Sequence, residues 1–327
     1  MKSDSLFLGI DGGRSGTRCI VVNGTGEIIG QGNAGRTDFV LAPGGKDKLR
    51  ETLTTALTQA LPNQKFKFKS AFLGLSGVIK GGELEEAVRE VCTQVFEAEK
   101  VEVDTDAYVA WAGALKLQPG IVLIAGSGSI ALGVGSHGET ARSGGWGFLF
   151  GDEGGGFGIA RDGLKMVLRS IDHNQPCTAL IDLYTEFFQG TQPSQLARDF
   201  YAGKVPRDVF ARITPEIAAL ARRGDQAAQE LFASAGEALA RDVQAVSKKL
   251  KWPSEEVYWS PVGGVFKSKE MILDPIRTFL DQDDQYRFKL MQPQFPPVLG
   301  AVLLAMQQAE GKVSPKALEN LAKHITE

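Results

Sequence analysis

Three glycine-rich turns in the sequence could bind phosphate. Gly12-Gly13 follow the apolar segment 6–10, "GSGS" at 126–129 ends another apolar run, and Gly263-Gly264 end a third. Glycine leaves backbone N–H groups open to a ligand, so such turns after rigid strands are natural anion sites. The chain lacks the GxxxxGK[ST] pattern of a P-loop, and "GSGSIA" continues into a predicted strand, unlike a dinucleotide-binding fingerprint.

Two aspartates stand at the ends of predicted strands, where an open α/β sheet presents side chains to ligands. Asp106 is predicted to be a general base that activates a hydroxyl. Its alternative role is the N-cap of a helix beginning at Ala107, and both roles can hold at once. Asp104 competes for the role of base. Asp11 is predicted to orient Mg²⁺ through water molecules, because magnesium keeps much of its hydration shell.

The glycine-rich segment 144–163, "GGWGFLFGDEGGGFGIARDG", is predicted to be a loop that binds a sugar. Trp146 offers an apolar platform to a sugar ring, and Asp152 and Glu153 can accept hydrogen bonds from its hydroxyls. The alternative is a surface loop with an incidental capping aspartate. Long glycine loops without structure are uncommon inside compact domains, which favours function.

Alternating strands and helices must position these residues. The plan of strand, glycine-rich hairpin and strand occurs in residues 6–22 and again in 120–135. Residues 152–252 are predicted to be mostly helical. We therefore expect a duplicated α/β architecture with helices packed on mixed sheets and a domain boundary near residue 116. The last helix, about 314–325, is expected to pack on either half.

Composition indicates which classes of partner and which cellular compartment to expect. The 327 residues carry a formal net charge of −3, which argues against a nucleic-acid-binding surface. We expect neither a signal peptide nor a membrane span, because no apolar run is long enough. Cys19, Cys92 and Cys177 lie far apart in the sequence, which fits a reducing cytoplasm. The three histidines form no ligand pattern, so no transition-metal site is expected.

Several motifs together resemble a known group of proteins. They are "GIDGG…T" at 9–17, "TDA" at 105–107, "LIAGSGS" at 123–129, "GGWGFLFGDEG" at 144–154 and "PVGGVFKS" at 261–268. This set resembles the N-acetylglucosamine kinase and BadF/BadG/BcrA/BcrD ATPase group of the sugar kinase, Hsp70 and actin superfamily. The resemblance implies two duplicated ribonuclease-H-like (actin-like ATPase) domains, residues 1–116 and 117–327, which close an interdomain cleft over ATP, Mg²⁺ and a sugar.

The resemblance also implies roles for individual residues. Asp106 matches the base that takes the proton from the sugar 6-hydroxyl. The residues that match nucleotide-binding positions are Asp11, Gly12, Gly13, Ser15 and Thr17 in the first phosphate motif, Gly126, Ser127, Gly128 and Ser129 in the second, and Gly263 and Gly264 in the adenosine motif. The residues that match sugar-side positions are Asp38, Gly145, Trp146 and Asp152.

The sequence departs from the family pattern at two places. Relatives read D-G-G-G-T-K-T in the first motif, whereas Arg14, Ser15 and Gly16 stand here in place of Gly, Thr and Lys. Arg14 puts a bulky cation beside the phosphates, where it would aid γ-phosphate binding or alter turnover. Asp38 stands where relatives often carry a sugar-binding Asn, and a carboxylate there would bind hydroxyls or prefer an amino sugar or a different sugar derivative.

The motifs and the family resemblance together predict a cytoplasmic, ATP-dependent kinase. The resemblance implies that it phosphorylates the 6-hydroxyl of an amino sugar, with N-acetylglucosamine as the first candidate. Glucosamine, N-acetylmuramic acid and glucose are alternative substrates. A BadF-type ATPase activator is a second alternative, although the three cysteines lack the close spacing of an iron–sulfur site. A nucleotide-dependent binding protein without turnover is a third, for which Arg14 is the best support. A homodimer is expected from family likeness alone.

Overall fold

The computed structural model describes residues 5–13, 16–37, 40–62, 66–174 and 177–325. The chain divides into two units, of which the first contains Met1–Gln118 and Gln292–Glu327 and the second contains Pro119–Met291. The expected division assigned all residues from 117 onward to a second domain and left only the last helix open. In the structure the chain returns to the first unit at Gln292.

Ten strands and twelve α-helices are formed by the described residues. The strands are β1 (Leu6–Gly13), β2 (Gly16–Asn23), β3 (Ile28–Ala34), β4 (Lys67–Leu75), β5 (Glu97–Asp104), β6 (Gly120–Ala125), β7 (Ser129–Val134), β8 (Thr140–Gly144), β9 (Glu256–Val262) and β10 (Arg287–Leu290). The helices are α1 (Gly45–Ala60), α2 (Glu83–Val95), α3 (Asp106–Ala114), α4 (Gly156–Asp172), α5 (Thr178–Phe187), α6 (Pro193–Tyr201), α7 (Arg207–Ala211), α8 (Thr214–Arg222), α9 (Gln226–Ser247), α10 (Glu270–Leu280), α11 (Pro297–Glu310) and α12 (Pro315–Ala322).

The sheet of the first unit has the strand order β3-β2-β1-β4-β5. The first three strands are antiparallel, and β4 and β5 continue parallel to β1. Asp11 on β1 and Asp104 on β5 both lie opposite Gly74 on β4. Since the carboxyl ends of parallel strands share one edge, Asp11 and the first residues of α3 lie at the same edge of this sheet.

Apolar periodicity explains how α1 packs on this sheet. Leu49, Leu53 and Leu57 repeat at every fourth position and are fully or almost fully buried, as expected for an amphipathic helix. Gly30 and Gly32 on β3 allow the close approach, because a Cβ at Gly30 would lie 1.8 Å from the carbonyl oxygen of Ala60.

Helix α11, which the sequence analysis did not identify, lies against the other face of the first sheet. It is apolar around its whole circumference, with residues 298–306 all buried, and this pattern is typical of a central helix. Gly9 on β1 packs against the backbone of Val302, and Gly300 packs against the backbone of Val109 and Gly113 on α3. Helix α11 therefore supports both the strand that carries Asp11 and the helix that begins at Asp106.

Helix α12 also belongs to the first unit. The hydroxyl of Ser314 caps it by accepting a hydrogen bond from the Ala317 amide. The side-chain amide of Asn320 donates to the carbonyl oxygen of Thr25 over 2.9 Å, at the hairpin between β2 and β3. The final helix thus packs on the hairpin between β2 and β3.

The second unit repeats the plan of the first. Its sheet has the order β10-β9-β6-β7-β8, in which β6, β7 and β8 are antiparallel and β9 and β10 continue parallel to β6. The prediction of a duplicated α/β architecture with mixed sheets is confirmed. The two short edge strands, β8 and β10, are not predicted from the sequence, because their residues are partly exposed and show little apolar patterning.

Helices α4 to α9 follow the second hairpin. The expectation of an irregular loop through residue 163 is wrong for its second half, because α4 begins at Gly156. The glycines at 156, 158 and 163 pack inside this helix against neighbouring atoms, such as Gly163 against the hydroxyl of Tyr184. None of the described helices is both long and apolar enough to cross a membrane.

Replacement of Gly300 by alanine tests the close packing of α11 on α3. A Cβ at this position would lie 2.0 Å from the Val109 carbonyl oxygen and 2.5 Å from the Gly113 amide nitrogen. Alanine is intrinsically better than glycine in a helix by about 0.5–1 kcal/mol, so a loss would come from the contact. We expect Gly300→Ala to lower the free energy of unfolding by about 1–3 kcal/mol in urea titrations.

Gly35→Ala is the matched control, because nothing lies within 4 Å of a Cβ at Gly35 and its φ is not positive. This variant should unfold within about 0.5 kcal/mol of the natural protein. Equal stability of the two variants would show that α11 and α3 are not in close contact.

Candidate active site

Asp11 is a carboxyl group held in a partly buried position on β1. Its neighbour across the antiparallel pair is Arg18 on β2. The pKa of Asp11 is raised to about 7, chiefly by burial and then by the nearby negative charge of Asp106, while the positive charge of Arg18 opposes the shift. Around neutral pH this carboxyl is therefore present in both its protonated and its ionised form.

Asp106 is the first residue of α3, and its role at the helix end differs from the predicted N-cap. Thr105 is the N-cap, because its backbone is extended and its hydroxyl accepts a hydrogen bond from the Tyr108 amide over 3.1 Å. One carboxylate oxygen of Asp106 accepts from the Ala107 amide over 2.9 Å. The positive end of the helix thus fixes the Asp106 carboxylate at the edge of the sheet.

Asp104 has a different set of charged neighbours from Asp106. Its carboxylate accepts from the Thr105 amide over 2.7 Å, and its pKa is raised chiefly by burial, with charges from Lys80, Glu85 and Glu102 acting on it. The two glutamates belong to an ion network in which Arg89 donates to both over 2.8 Å. Asp104 therefore borders a structural ion network, whereas Asp106 acts electrostatically on Asp11.

The first glycine turn is closely packed on one side and open on the other. Gly12 has little room for a side chain, since a Cβ there would lie 2.8 Å from the hydroxyl oxygen of Thr37. Gly13 has no atom nearer than 3.7 Å to an added Cβ. The hydroxyl of Thr17 donates to the Gly35 carbonyl oxygen over 2.7 Å, so it holds the segment before Thr37.

Arg14, Ser15 and Asp38 lie outside the described residues, so their predicted roles are not placed by the structure.

The second glycine turn, residues 126–129, is hydrogen-bonded to the loop of residues 145–155 and to the start of α4. The carbonyl oxygens of Gly126 and Ser127 accept from the amides of Gly156 and Phe157 over 2.8 and 3.1 Å. The Ser129 carbonyl oxygen accepts from the Gly145 amide over 3.0 Å. The predicted phosphate turn and the predicted sugar-side loop are therefore one hydrogen-bonded assembly.

Some amides of the second turn are available to a ligand. Within the described part of the chain, the Gly126 amide donates to the Gly128 carbonyl oxygen, and the Ser129 amide donates to the Asp152 carboxylate. No hydrogen bond among those residues uses the amides of Ser127 and Gly128. An added Cβ at Gly126 would meet nothing within 4 Å, so an anion can approach the backbone there.

The third glycine turn adjoins the second. Gly263 follows β9 with φ of 117°, and a Cβ there would lie 2.4 Å from the Ala125 carbonyl oxygen and 3.0 Å from the Gly126 amide nitrogen. Gly264 has open space around it and begins a short 3₁₀ turn. The structure thus brings Gly126 and Gly263 together at the carboxyl ends of the parallel strands β6 and β9.

The sugar-side loop presents an exposed aromatic surface. Trp146 is 66% exposed, and the guanidinium of Arg142 lies 4.3 Å from the centre of its ring. Leu149 and Phe150 on the same loop are also highly exposed. Gly145 beside Trp146 has φ of 71°, a conformation that glycine adopts without strain.

Asp152, unlike Trp146, is buried. It is 5% exposed and has φ of 65°, which is unusual for a residue other than glycine. One carboxylate oxygen accepts from the Ser129 amide over 3.2 Å, and the other accepts from the Arg207 guanidinium over 2.9 Å. From the sequence this carboxylate is expected to face sugar hydroxyls, and no local pattern indicates Arg207, which lies 55 positions away in a helical segment.

A depression of about 530 Å³ lies between α4 and α9 in the second unit. Its lining residues include Arg161, Lys165 and Arg169 on α4, Glu230 on α9, and Glu153. None of the glycine-turn residues lines it. The depression is therefore separate from the phosphate turns, and its lining charges of both signs indicate no single class of ligand.

The carboxylates offer a limited set of metal ligands. Among the residues that the structure describes, no group of three or more His, Cys, Asp or Glu side chains could hold a metal ion. Magnesium is commonly bound by one or two carboxylates together with substrate phosphates and water. Asp11, with Asp106 acting on it, fits that pattern better than a cage made only of protein ligands.

The family model that matches this chain is described as the BadF/BadG/BcrA/BcrD ATPase family and covers residues 8–305. An N-acetyl-D-glucosamine kinase of Dictyostelium discoideum is 27% identical over 321 residues, which is 93% of this chain and 98% of that protein. An N-acetylmuramic acid/N-acetylglucosamine kinase of Clostridium acetobutylicum is 29% identical over 211 residues, or 64% of this chain and 69% of that one.

A solved structure extends the likeness to three dimensions. The crystal structure of a candidate N-acetylglucosamine kinase from Chromobacterium violaceum has a TM-score of 0.73 and 26% identity, and the match covers 93% of this chain and 99% of that chain. The resemblance inferred from the motifs is therefore confirmed. The chain belongs to the BadF/BadG/BcrA/BcrD ATPase family.

Proposed function

We propose that this protein is an ATP-dependent kinase that transfers the γ-phosphoryl group of ATP to the 6-hydroxyl of an amino sugar, with N-acetylglucosamine as the first candidate. The observation that carries the proposal is the pair of carboxylates, Asp11 and Asp106, at one edge of the first sheet. The relatives named as N-acetylglucosamine kinases support the choice of acceptor.

Asp106 is assigned the role of general base. Its carboxylate is held at a helix N-terminus and would orient the acceptor hydroxyl and take its proton as the phosphoryl group arrives. Asp11 would hold Mg²⁺, which supplies neutralisation of charge on the β- and γ-phosphates when it is bound. The carboxyl of Asp11 suits this role because a cation replaces the proton that burial otherwise favours.

Glycine turns are assigned the phosphate and adenosine contacts. From the resemblance, we assign phosphate contacts to Gly12 and Gly13 in the first unit and to the turn 126–129 in the second. Gly263 and Gly264 are assigned to the adenosine. Ser15 is assigned to the nucleotide, and Thr17 supports this motif through its hydrogen bond to Gly35.

The sugar is assigned to Asp38, Gly145, Trp146 and Asp152. The exposed ring of Trp146 supports a stacking role against a sugar ring. The carboxylate of Asp152 keeps lone pairs beyond the two that accept from Ser129 and Arg207, since an ionised carboxylate accepts about four hydrogen bonds.

The cysteines argue against an iron–sulfur ATPase activator. Burial raises the pKa of the Cys19 thiol to about 11 and that of the Cys92 thiol to about 12, whereas cluster ligands must be thiolates. The thiol of Cys19 donates to the Ala56 carbonyl oxygen. These two side chains are therefore packed as small apolar groups in the core of the first unit.

A panel of acceptors tests the proposed reaction. We expect sugar-dependent release of ADP with N-acetylglucosamine, and phosphorus NMR of the product should show a phosphate ester at the 6-oxygen. Glucosamine, N-acetylmuramic acid and glucose give the ranking of acceptors, and a reaction without sugar is the control. ADP release that is equal with and without every sugar would contradict the proposal.

Replacement of Asp106 by asparagine tests the base. The amide keeps the shape but cannot take a proton, so kcat should fall by about 10²–10⁴-fold while ATP binding stays within a few-fold. Asp104→Asn is the matched control, because Asp104 lies two positions earlier and borders the Arg89 ion network. Turnover that survives in Asp106→Asn, or is lost to the same extent in Asp104→Asn, would show that the base is assigned wrongly.

A further inference from the structure

A buried ion pair joins the sugar-side loop to the helical segment of the second unit. The side chains of Asp152 and Arg207 are 7% and 17% exposed, and they are linked over 2.9 Å. Arg207 is the first residue of α7 and lies 55 positions after Asp152 in the sequence. The pair therefore fixes the loop against an element that contains none of the predicted site residues.

Aromatic rings hold the guanidinium of Arg207 in place. It lies 4.9 Å from the centre of the Phe148 ring and 5.5 Å from that of Phe157. Phe157 also packs against Phe200 and Phe210 of the helical segment, with ring centres 5.5 and 5.7 Å apart. A cation that is stacked and ion-paired in this way has little freedom to move.

The same carboxylate reaches the predicted phosphate turn. The second oxygen of Asp152 accepts from the Ser129 amide, and a Cβ at Gly128 would lie only 2.5 Å from it. The hydroxyl of Ser129 donates to the carbonyl oxygen of Glu153, the next residue along the loop. A displacement of Asp152 would consequently move both the loop and the turn.

We propose that Arg207 is a positioning residue, which fixes the carboxylate of Asp152 for the acceptor sugar and, through it, the 126–129 turn. This inference rests on the proposed function, because it takes Asp152 to be a sugar ligand. Stability alone is a weak reason for such a pair, since apolar replacement of both partners is often neutral or stabilising. A fixed carboxylate matters to a kinase because even a small displacement of a positioning group lowers the reaction rate by a large factor.

Four variants test the proposal: Arg207→Met, Arg207→Lys, Asp152→Asn and the double variant Asp152→Asn/Arg207→Met. Arg207→Met should raise the KM for N-acetylglucosamine by roughly tenfold or more, with a smaller change in the KM for ATP. Arg207→Lys should recover only part of the loss, since an ammonium lacks the planar fork. Arg212→Met is the matched control, because Arg212 is the C-cap directly after the same helix and its side chain is 68% exposed.

The double variant separates positioning from stability. It leaves no unpaired buried charge, so its thermal unfolding should return towards that of the natural protein while its KM for the sugar stays as high as in Asp152→Asn. Recovery of both properties would show a merely structural pair and overturn the inference. A KM within twofold of normal in Arg207→Met would also overturn it.

Amide hydrogen exchange gives a readout that does not depend on turnover. Arg207→Met should speed exchange in residues 126–129 and 145–155 but not in α9, and unchanged exchange in the first two segments would overturn the inference. If no sugar is phosphorylated by the natural protein but exchange rises as expected, the proposed function fails while the positioning of the loop and the turn by Arg207 stands.

Discussion

The electrostatic relation between Asp11 and Asp106 is the interaction on which the site of the first unit depends. Burial is the main reason that the pKa of Asp11 rises to about 7, and the negative charge of Asp106 adds to the rise because two neighbouring carboxylates repel each other when both are ionised. Asp106 is instead held at the N-terminus of α3. Different surroundings thus give two carboxyl groups different chemistry: Asp11 is suited to bind a cation, and Asp106 is suited to take a proton from the acceptor hydroxyl.

The fold provides this relation through close backbone contacts. Parallel pairing of β1, β4 and β5 sets Asp11 and Asp104 in register, and α3 then begins two residues later. Helix α11 holds β1 and α3 together because Gly9, Gly113 and Gly300 leave room for backbone against backbone. In the second unit the equivalent strands β6 and β9 bring Gly126 beside Gly263. Some of these glycines therefore allow two backbone segments to pack closely, and others leave the backbone open to a ligand.

Local patterns predicted much of this arrangement. Apolar runs joined by glycine-rich segments identified the two hairpins, and strand ends followed by glycine identified the turns at 12–13, 126–129 and 263–264. The sequence could not show α11, since a helix that is apolar all round has no amphipathic pattern, nor the burial of Asp152, which depends on Arg207 from a distant helix. Thr105 was overlooked as the N-cap because Asp106 beside it is an equally good capping residue type.

The most direct test of the account is the proton that Asp11 should lose when Mg²⁺ and nucleotide bind. Calorimetry of Mg·ATP binding in buffers of different ionisation enthalpy measures that release, with Asp11→Asn as the reference. Because the pKa of Asp11 is about 7 in the metal-free protein, the natural protein should release most of one proton more than Asp11→Asn at a pH about half a unit below that value, and almost none more at a pH well above it. Equal release by the two proteins at both pH values, with equal affinity for Mg·ATP, would contradict the account.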